Sequence, residues 1–312
     1  MSGVVFHVGL PKTGTTTLQK AVFPALSGVA YAGKRIPGYG FATQELGAAL
    51  SSVISADSAL VDPVPALREA IERLRAPCGV STLVVSTESL AHPAARDLGL
   101  VAARLAAAVP DARILITLRA QESLVLSWYR SHGRFAQYLF THKSESERLD
   151  GSLTQRAWWD LVAREPRAGL LAMLDYDRLV ECYTQRFARG VTLLPLELLS
   201  TDSKEYAARL AAVLEVAPSE CAARLTNAHE NRGLSAREVF AGRLLGRFGV
   251  RANFLEHRER GAVRRWLAGG PAADAELDPT IAARVRAECA AGNARLAARS
   301  GLRLAALGYT CA

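Results

Sequence analysis

The stretch that most constrains the fold lies near the start of the chain, where residues 4–19 read VVFHVGLPKTGTTTLQ. Its first half is an apolar run of the length of a buried strand, and its second half is typical of the first turns of a helix. Turn residues lie between the halves, at Gly9, Pro11 and Gly14. Glycine lets the backbone approach a ligand closely, and the N–H groups of such a loop and of the helix after it favour an anion. The stretch therefore predicts a phosphate-binding loop between a strand and a helix.

The loop departs from the G-x-x-x-x-G-K-[ST] pattern of nucleoside triphosphatases. The two glycines have the required separation, but Thr15 occupies the position of the lysine, which lies earlier in the loop as Lys12. A triphosphatase also holds Mg²⁺ with an acidic residue near the end of a neighbouring strand. The strongest later strand, residues 113–118, is followed instead by Arg119. Both differences weaken the interpretation as an ATP or GTP site.

Two segments resemble motifs of the sulfotransferases that use 3′-phosphoadenosine 5′-phosphosulfate (PAPS). Residues 11–16, PKTGTT, are similar to the 5′-phosphosulfate loop of that family, and residues 119–129, RAQESLVLSWY, are similar to its 3′-phosphate motif. The resemblance implies that Arg119 and Ser127 grip the 3′-phosphate. Arginine can give a bidentate, charge-assisted contact to such a group, and a serine hydroxyl can add a donor. It also implies that the donor loop consists of Pro11, Lys12, Thr13, Gly14, Thr15 and Thr16.

The order of the elements predicts an α/β fold. Apolar strands at residues 82–86 and 113–118 are each followed by a helical pattern, and this recurrence implies a parallel sheet. The resemblance implies a three-layer sandwich with a central parallel sheet, the P-loop-like sulfotransferase fold. Residues 27–62 carry several turn residues, and we expect mostly loop there, with a short helix at about residues 44–53.

We expect one domain over residues 1–312, with the core sheet in about residues 1–200 and a helical C-terminal portion in about residues 201–312. With 50% hydrophobic residues the chain can form a large core. Nothing in the sequence predicts an oligomeric state.

An acidic residue, Glu88, follows the strand at residues 82–86. In an open parallel sheet, ligands bind at this carboxyl edge. Cytosolic sulfotransferases have a catalytic histidine at the corresponding place, whereas many bacterial members have Ser-x-Glu, so the resemblance implies that Glu88 is the general base. His92 and His132 are the competing bases. Glu88 could instead cap the helix that follows, or pair with Lys12 or Arg119.

Weaker signals complete the predicted site. Arg232 and Gly233 loosely resemble the late Arg-Lys-Gly element that finishes the 3′-phosphate site in cytosolic members. The segments at residues 175–176 and 196–199 resemble the matching places of bacterial sulfotransferases. His7, in the first strand, is interpreted as a histidine of the core or one that braces the loop.

Charge and cysteine usage restrict the partners and the compartment. The formal net charge of +8 and pI near 9.5 suit an anionic ligand, and the basic clusters are spaced like solvated helix faces, so nucleic acid is not predicted as a partner. The five cysteines are scattered and form no C-x-x-C pair, which argues against a zinc site and for a reducing compartment. No signal peptide or membrane span is evident. We expect a cytoplasmic protein, and its Ala- and Arg-rich composition is typical of a GC-rich bacterial genome.

The function predicted from these observations is PAPS-dependent sulfuryl transfer, with adenosine 3′,5′-bisphosphate (PAP) as the product and without a metal. Lys12 would compensate charge on the leaving phosphate. The acceptor would be a hydroxyl or amine of a small molecule, carbohydrate, lipid or natural product. Two alternatives stay open at this point: a Mg²⁺-dependent nucleotide kinase or NTPase of related fold, and a non-catalytic protein that binds a phosphorylated nucleotide.

Overall fold

The computed structural model describes residues 3–34, 40–55, 62–76, 79, 81–91, 97–131, 154–164, 170–226, 235, 237, 241, 266–267, 269–270 and 276–311. The chain divides into two compact units. The first unit consists of Met1–Ala120, Leu170–Glu230 and Cys289–Ala312, and the second of Gln121–Gly169 and Asn231–Glu288. The expectation of one domain stays a prediction.

The first unit contains a sheet of five strands in the order β2-β3-β1-β4-β5. Neighbouring strands are parallel throughout, which confirms the predicted α/β class. Parallel strands covered on both faces are buried along almost their whole length, and the three middle strands show this pattern. The strands are β1 (Gly3–Gly9), β2 (Val29–Tyr31), β3 (Thr82–Ser86), β4 (Arg113–Leu118) and β5 (Val191–Pro195).

Helices follow the strands in the pattern that parallel pairing requires. The helix after the loop begins at Thr15 and changes type along its length, from α (Thr15–Thr17) to π (Leu18–Val22) to 3-10 (Phe23–Ala25). The further helices described in the first unit are Gln44–Ser55, Val64–Arg75, Glu88–Leu90, Leu98–Ala108, Leu170–Leu174, Tyr176–Thr184, Leu198–Thr201, Ser203–Leu214, Pro218–Thr226 and Leu304–Leu307. Pro279–Ser300 begins in the second unit and ends in the first.

One apolar cluster joins the sheet to the helices of the first unit. It combines side chains of the middle strands, such as Leu115, with Leu18 and Phe23 from the helix after the loop and with Leu210 from Ser203–Leu214. These four side chains are fully buried, and each contributes roughly 1.5–3 kcal/mol relative to an exposed side chain. The loop helix is thus fixed to the core by its apolar side chains.

The second unit contains the helices Gln121–Ser131 and Gln155–Arg164. Tyr129 of the first packs against Trp158 of the second, with ring centroids 5.6 Å apart. Trp128 and Trp159 are also buried. Trp128, Trp158 and Trp159 therefore belong to the packed interior.

The sequence predicted β3 and β4 with the observed bounds but did not predict β2. This strand has three half-buried residues at the edge of the sheet. Its pairing with β3 continues beyond Tyr31, because Ala32 N–H donates to the Val84 carbonyl and Lys34 N–H donates to the Ser86 carbonyl. A segment this short shows no alternation, so only its partner reveals it.

Candidate functional site

The loop after β1 has an unusual backbone. Lys12 has φ 71° and Gly14 has φ 85°, so both lie in the left-handed region. For lysine this conformation costs roughly 1–2 kcal/mol. Gly14 is also the N-cap of Thr15–Thr17, and no side chain caps that helix. The first N–H groups of a helix lack intrahelical partners, so this loop suits an anion.

Close packing holds the loop on the end of β1. A Cβ atom on Gly9 would lie 2.3 Å from Thr15 Cγ2 and 2.6 Å from Thr117 Oγ1, distances too short for any side chain. Thr15 is 2% exposed and Thr13 is fully buried, whereas Pro11, Lys12 and Thr16 are partly exposed. Glycine at position 9 therefore allows the helix start to sit directly on the strand.

Arg119, predicted as part of the 3′-phosphate motif, lies against this loop. One of its guanidinium N–H groups donates to the Lys12 carbonyl oxygen, 3.1 Å away. The residues adjoin because β4 is the neighbour of β1 and Gly9 pairs with Thr117. Two segments that are distant in sequence thus meet at the carboxyl edge of the sheet.

The peptide that carries Arg119 is held from both sides. The Tyr176 hydroxyl donates to the Arg119 carbonyl at 2.6 Å, and Ala120 N–H donates to Glu197 Oε1 at 2.8 Å. The Tyr309 hydroxyl donates to Glu197 Oε2 at 3.0 Å. Burial, and next the charge of Glu197, raises the pKa of both tyrosines well above the usual value, so both hydroxyls stay protonated. The family resemblance at residues 175–176 and 196–199 marked these segments without showing what they do.

Glu88 begins a short turn directly after β3, with one residue, Thr87, between them. Its Oε1 atom accepts a hydrogen bond from Thr15 Oγ1 at 2.5 Å. Its Oε2 atom lies 3.9 Å from the Lys34 ammonium, and both side chains are about a quarter exposed. The side-chain cap of the turn is Thr87, whose hydroxyl accepts from Ser89 N–H. Glu88 is therefore tied to the predicted donor loop.

Lys34 was not predicted as a site residue. Two hydrogen bonds fix its backbone. The Lys34 N–H donates to the Ser86 carbonyl at 2.9 Å, and the Lys34 carbonyl accepts from the Tyr31 hydroxyl at 2.7 Å. A Cβ on Gly33 would lie 2.6 Å from Ser86 O, so glycine permits this close approach. The sequence offered one indication that Lys34 could matter: the chain has only five lysines, so each one is unusual in its composition.

Among the residues that the structure describes, no group of three or more His, Cys, Asp or Glu side chains is arranged to hold a metal ion. In the same part of the chain, no helix combines the length and the apolar character needed to cross a membrane.

Comparison with known proteins gives structural similarity alone. No protein-family model matches the chain, and no curated protein matches its sequence. A crystal structure of a sulfotransferase from Alicyclobacillus acidocaldarius is 17% identical over 85% of this chain and 100% of that chain, with a TM-score of 0.44. The mouse sulfotransferase SULT7A1 complexed with PAP is 12% identical over 73% of this chain, with a TM-score of 0.42. This chain spans 65% of the mouse chain. Both of these structures are sulfotransferases.

The remaining predicted site residues divide into two groups. Ser127 is partly buried on the helix Gln121–Ser131, in the second unit. His92, His132, Arg232 and Gly233 lie outside the described residues. Their roles stay predictions.

Buried His7 makes stability depend on pH. Burial lowers its pKa from the ordinary 6.5 to about 3. Between these values the unfolded chain binds a proton that the folded chain excludes, so the free energy of unfolding falls by about 1.4 kcal/mol for each unit of pH lost below 6.5. We expect urea unfolding to approach this slope between pH 6 and 5, and His7→Gln to show a shallower one. Equal slopes in both proteins would contradict a neutral His7.

Proposed function

We propose that this chain is a PAPS-dependent sulfotransferase, an enzyme that moves the sulfuryl group of PAPS to a hydroxyl or amine of an acceptor and leaves PAP. The observation that carries the proposal is the contact between Arg119 and the Lys12 carbonyl. It brings Arg119, the first residue of the segment that resembles the 3′-phosphate motif, against the loop that resembles the 5′-phosphosulfate motif. The partly exposed side chains of both residues suit a doubly charged anionic ligand.

The donor loop would bind the 5′-phosphosulfate. Lys12 and the N–H groups of Gly14, Thr15 and Thr16 would hold it, whereas the Thr13 N–H, predicted as a further donor, is used by the Leu10 carbonyl at 3.4 Å. Lys12 would compensate the negative charge that develops on the phosphate oxygen as the S–O bond breaks. The left-handed backbone at Lys12 and the uncapped helix start at Gly14 are what this task requires. Sulfuryl transfer by this route is mainly positioning and electrostatics, so the chain's residues need no metal ion for the step.

Glu88 would act as the general base. It follows β3, the neighbour of β1, and its carboxylate already contacts Thr15 of the loop. Glu88 would take the proton of the acceptor hydroxyl while the oxygen of that hydroxyl forms the new bond to sulfur. Lys34, 3.9 Å from the carboxylate, would help to hold the Glu88 side chain in place.

Arg119 would bind the 3′-phosphate, and the tyrosine and glutamate contacts to its peptide would fix its direction. By the family resemblance Ser127, Arg232 and Gly233 would complete this half of the site. Small molecules, carbohydrates, lipids and natural products remain acceptor classes for the proposed enzyme, which we place in a bacterial cytoplasm as a single sulfotransferase domain.

Calorimetry with PAP and with ATP, each with and without Mg²⁺, tests the proposal. We expect a dissociation constant for PAP in the range of about 1–10 μM, unaffected by Mg²⁺, and at least about tenfold weaker binding of ATP. Magnesium-dependent preference for ATP would overturn the assignment in favour of a kinase or NTPase. Tight PAP binding without release of PAP from PAPS in a panel of hydroxyl acceptors would favour a non-catalytic binding protein.

A further inference from the structure

A chain of buried polar groups runs beneath the donor loop, through His7. The His7 ring contacts Ser86 Oγ through Nδ1 at 2.7 Å and Thr117 Oγ1 through Nε2 at 3.3 Å. Thr117 Oγ1 lies 2.7 Å from Thr13 Oγ1, and Ser86 Oγ accepts from Gln19 Nε2 at 3.0 Å. The side chains are 0–3% exposed. In such surroundings each polar atom needs a partner.

The loop end of this chain determines the direction of its first hydrogen bonds. The Thr13 hydroxyl donates to the Leu10 carbonyl at 2.6 Å, and a carbonyl can only accept. The single proton of Thr13 is therefore used, and Thr117 must donate to Thr13. The proton of Thr117 is then used in turn, so its oxygen accepts from His7, whose Nε2 must carry a hydrogen.

The helix end leads to the same state of the ring. The Gln19 amide donates to Ser86, and the Ser86 hydroxyl then has its own proton available for His7 Nδ1. This bond requires Nδ1 to be a bare acceptor. The loop end therefore selects a neutral imidazole with its hydrogen on Nε2, and the contacts at the helix end are compatible with that state.

We propose that His7 is a positioning residue of the donor loop, held as the neutral Nε2–H tautomer in a one-directional hydrogen-bond relay from Gln19 through Ser86, His7, Thr117 and Thr13 to the Leu10 carbonyl. The relay joins three adjacent strands, because Ser86 ends β3, His7 lies in β1 and Thr117 lies in β4.

The relay fastens the loop on both sides. Leu10 and Thr13 close the turn that precedes Gly14, and Gln19 lies in the helix that follows it. Lys12 lies between the two fastened points, so the relay holds its left-handed backbone in place for a ligand. This part of the inference rests on the proposed function, whereas the tautomer and the rigidity of the loop do not.

Nitrogen-15 NMR of the imidazole tests the tautomer without any ligand. Bare and protonated ring nitrogens have well separated shifts, and we expect a bare Nδ1 and a protonated Nε2 for His7, assigned by its loss in His7→Gln. A protonated Nδ1, or two exchanging tautomers, would overturn the relay.

Thr117→Val tests the mechanical role, and Thr117→Ser is its matched control because it keeps the hydroxyl. In Thr117→Val we expect the amides of Leu10, Lys12 and Thr13 to exchange about tenfold faster while those of Leu193 and Leu194 in β5 keep their rates, and PAP affinity to fall about tenfold. Thr117→Ser should stay within about threefold of the parent in both measurements. Uniformly faster exchange in the Val variant would overturn the proposal, since it would show only general destabilisation.

Failure of the parent protein to bind PAP would count against the proposed function alone, because the NMR and exchange results do not depend on PAP binding.

Discussion

Replacing Glu88 with glutamine should lower the rate of PAP release from PAPS in the presence of a hydroxyl acceptor by about 10²–10⁴-fold. Glutamine cannot take a proton from the acceptor, and a positioned base is worth about this factor. PAP affinity should stay within about threefold of the parent, because the glutamine oxygen can still accept from Thr15 Oγ1, as Oε1 of Glu88 does at 2.5 Å. Steady-state kinetics and calorimetry measure the two quantities separately.

The matched control for this change is Lys34→Met. It removes the cation 3.9 Å from Oε2 but leaves the carboxylate. We expect a loss of less than about tenfold, since an ion pair with this exposure is worth roughly 1 kcal/mol or less. Undiminished turnover in Glu88→Gln would assign the base to His92 or His132. Loss of PAP binding in that variant would show that Glu88 supports the loop and is not a base.

The variant Lys12→Gly should weaken PAP binding by about 10–150-fold without lowering the stability of the fold. The loss corresponds to one charge-assisted contact of about 1.5–3 kcal/mol. The backbone effect has the opposite sign, because Lys12 has φ 71° and glycine adopts that angle freely. Removing the strain should offset the entropy that glycine adds to the unfolded chain, so the midpoint of thermal unfolding should be unchanged or higher.

Lys20→Gly is the control for charge and composition. Lys20 is exposed in the π-helical turn after the loop and is not among the non-glycine residues with positive φ. We expect this change to leave PAP affinity within about twofold and to destabilise the fold by about 1 kcal/mol. If Lys12→Gly bound PAP as tightly as the parent, the loop would not be the anion site. If it were strongly destabilised, the left-handed loop would depend on the lysine side chain for its stability.

Sequence patterns predicted the elements whose structure is determined by residues adjacent in the sequence. The strands β3 and β4 are continuous apolar runs, and the loop helix begins where glycine and threonine predict it. The strand β2 was missed because it consists of three half-buried residues whose pairing supplies the structure. Short elements of this kind have no period from which they could be recognised.

The same difference holds for the site: residues within a recognisable local pattern were predicted, and contacts between distant segments were not. Lys12 was predicted because it lies in a glycine-containing loop after a strand, and Arg119 because it directly follows the strand β4. The partnership of Lys34 with Glu88, and that of Glu197 with Ala120, joins segments that are distant in sequence. Such contacts depend on the order of strands in the sheet, which a single sequence does not contain. Ser127, His92, Arg232 and Gly233 stay predictions from resemblance.

The π-helical turn Leu18–Val22 makes the spacing of this segment sensitive to length. A π-helix bonds each residue one position further along than an α-helix does, so its turn holds about one residue more. Gln19, inside this turn, is the residue that reaches Ser86. Deleting one residue here would restore α-helical winding and leave the later side chains in phase, but it would shift the side chains inside the turn, Gln19 among them. Homologous chains with a shortened turn would therefore have to anchor this helix by a different side chain.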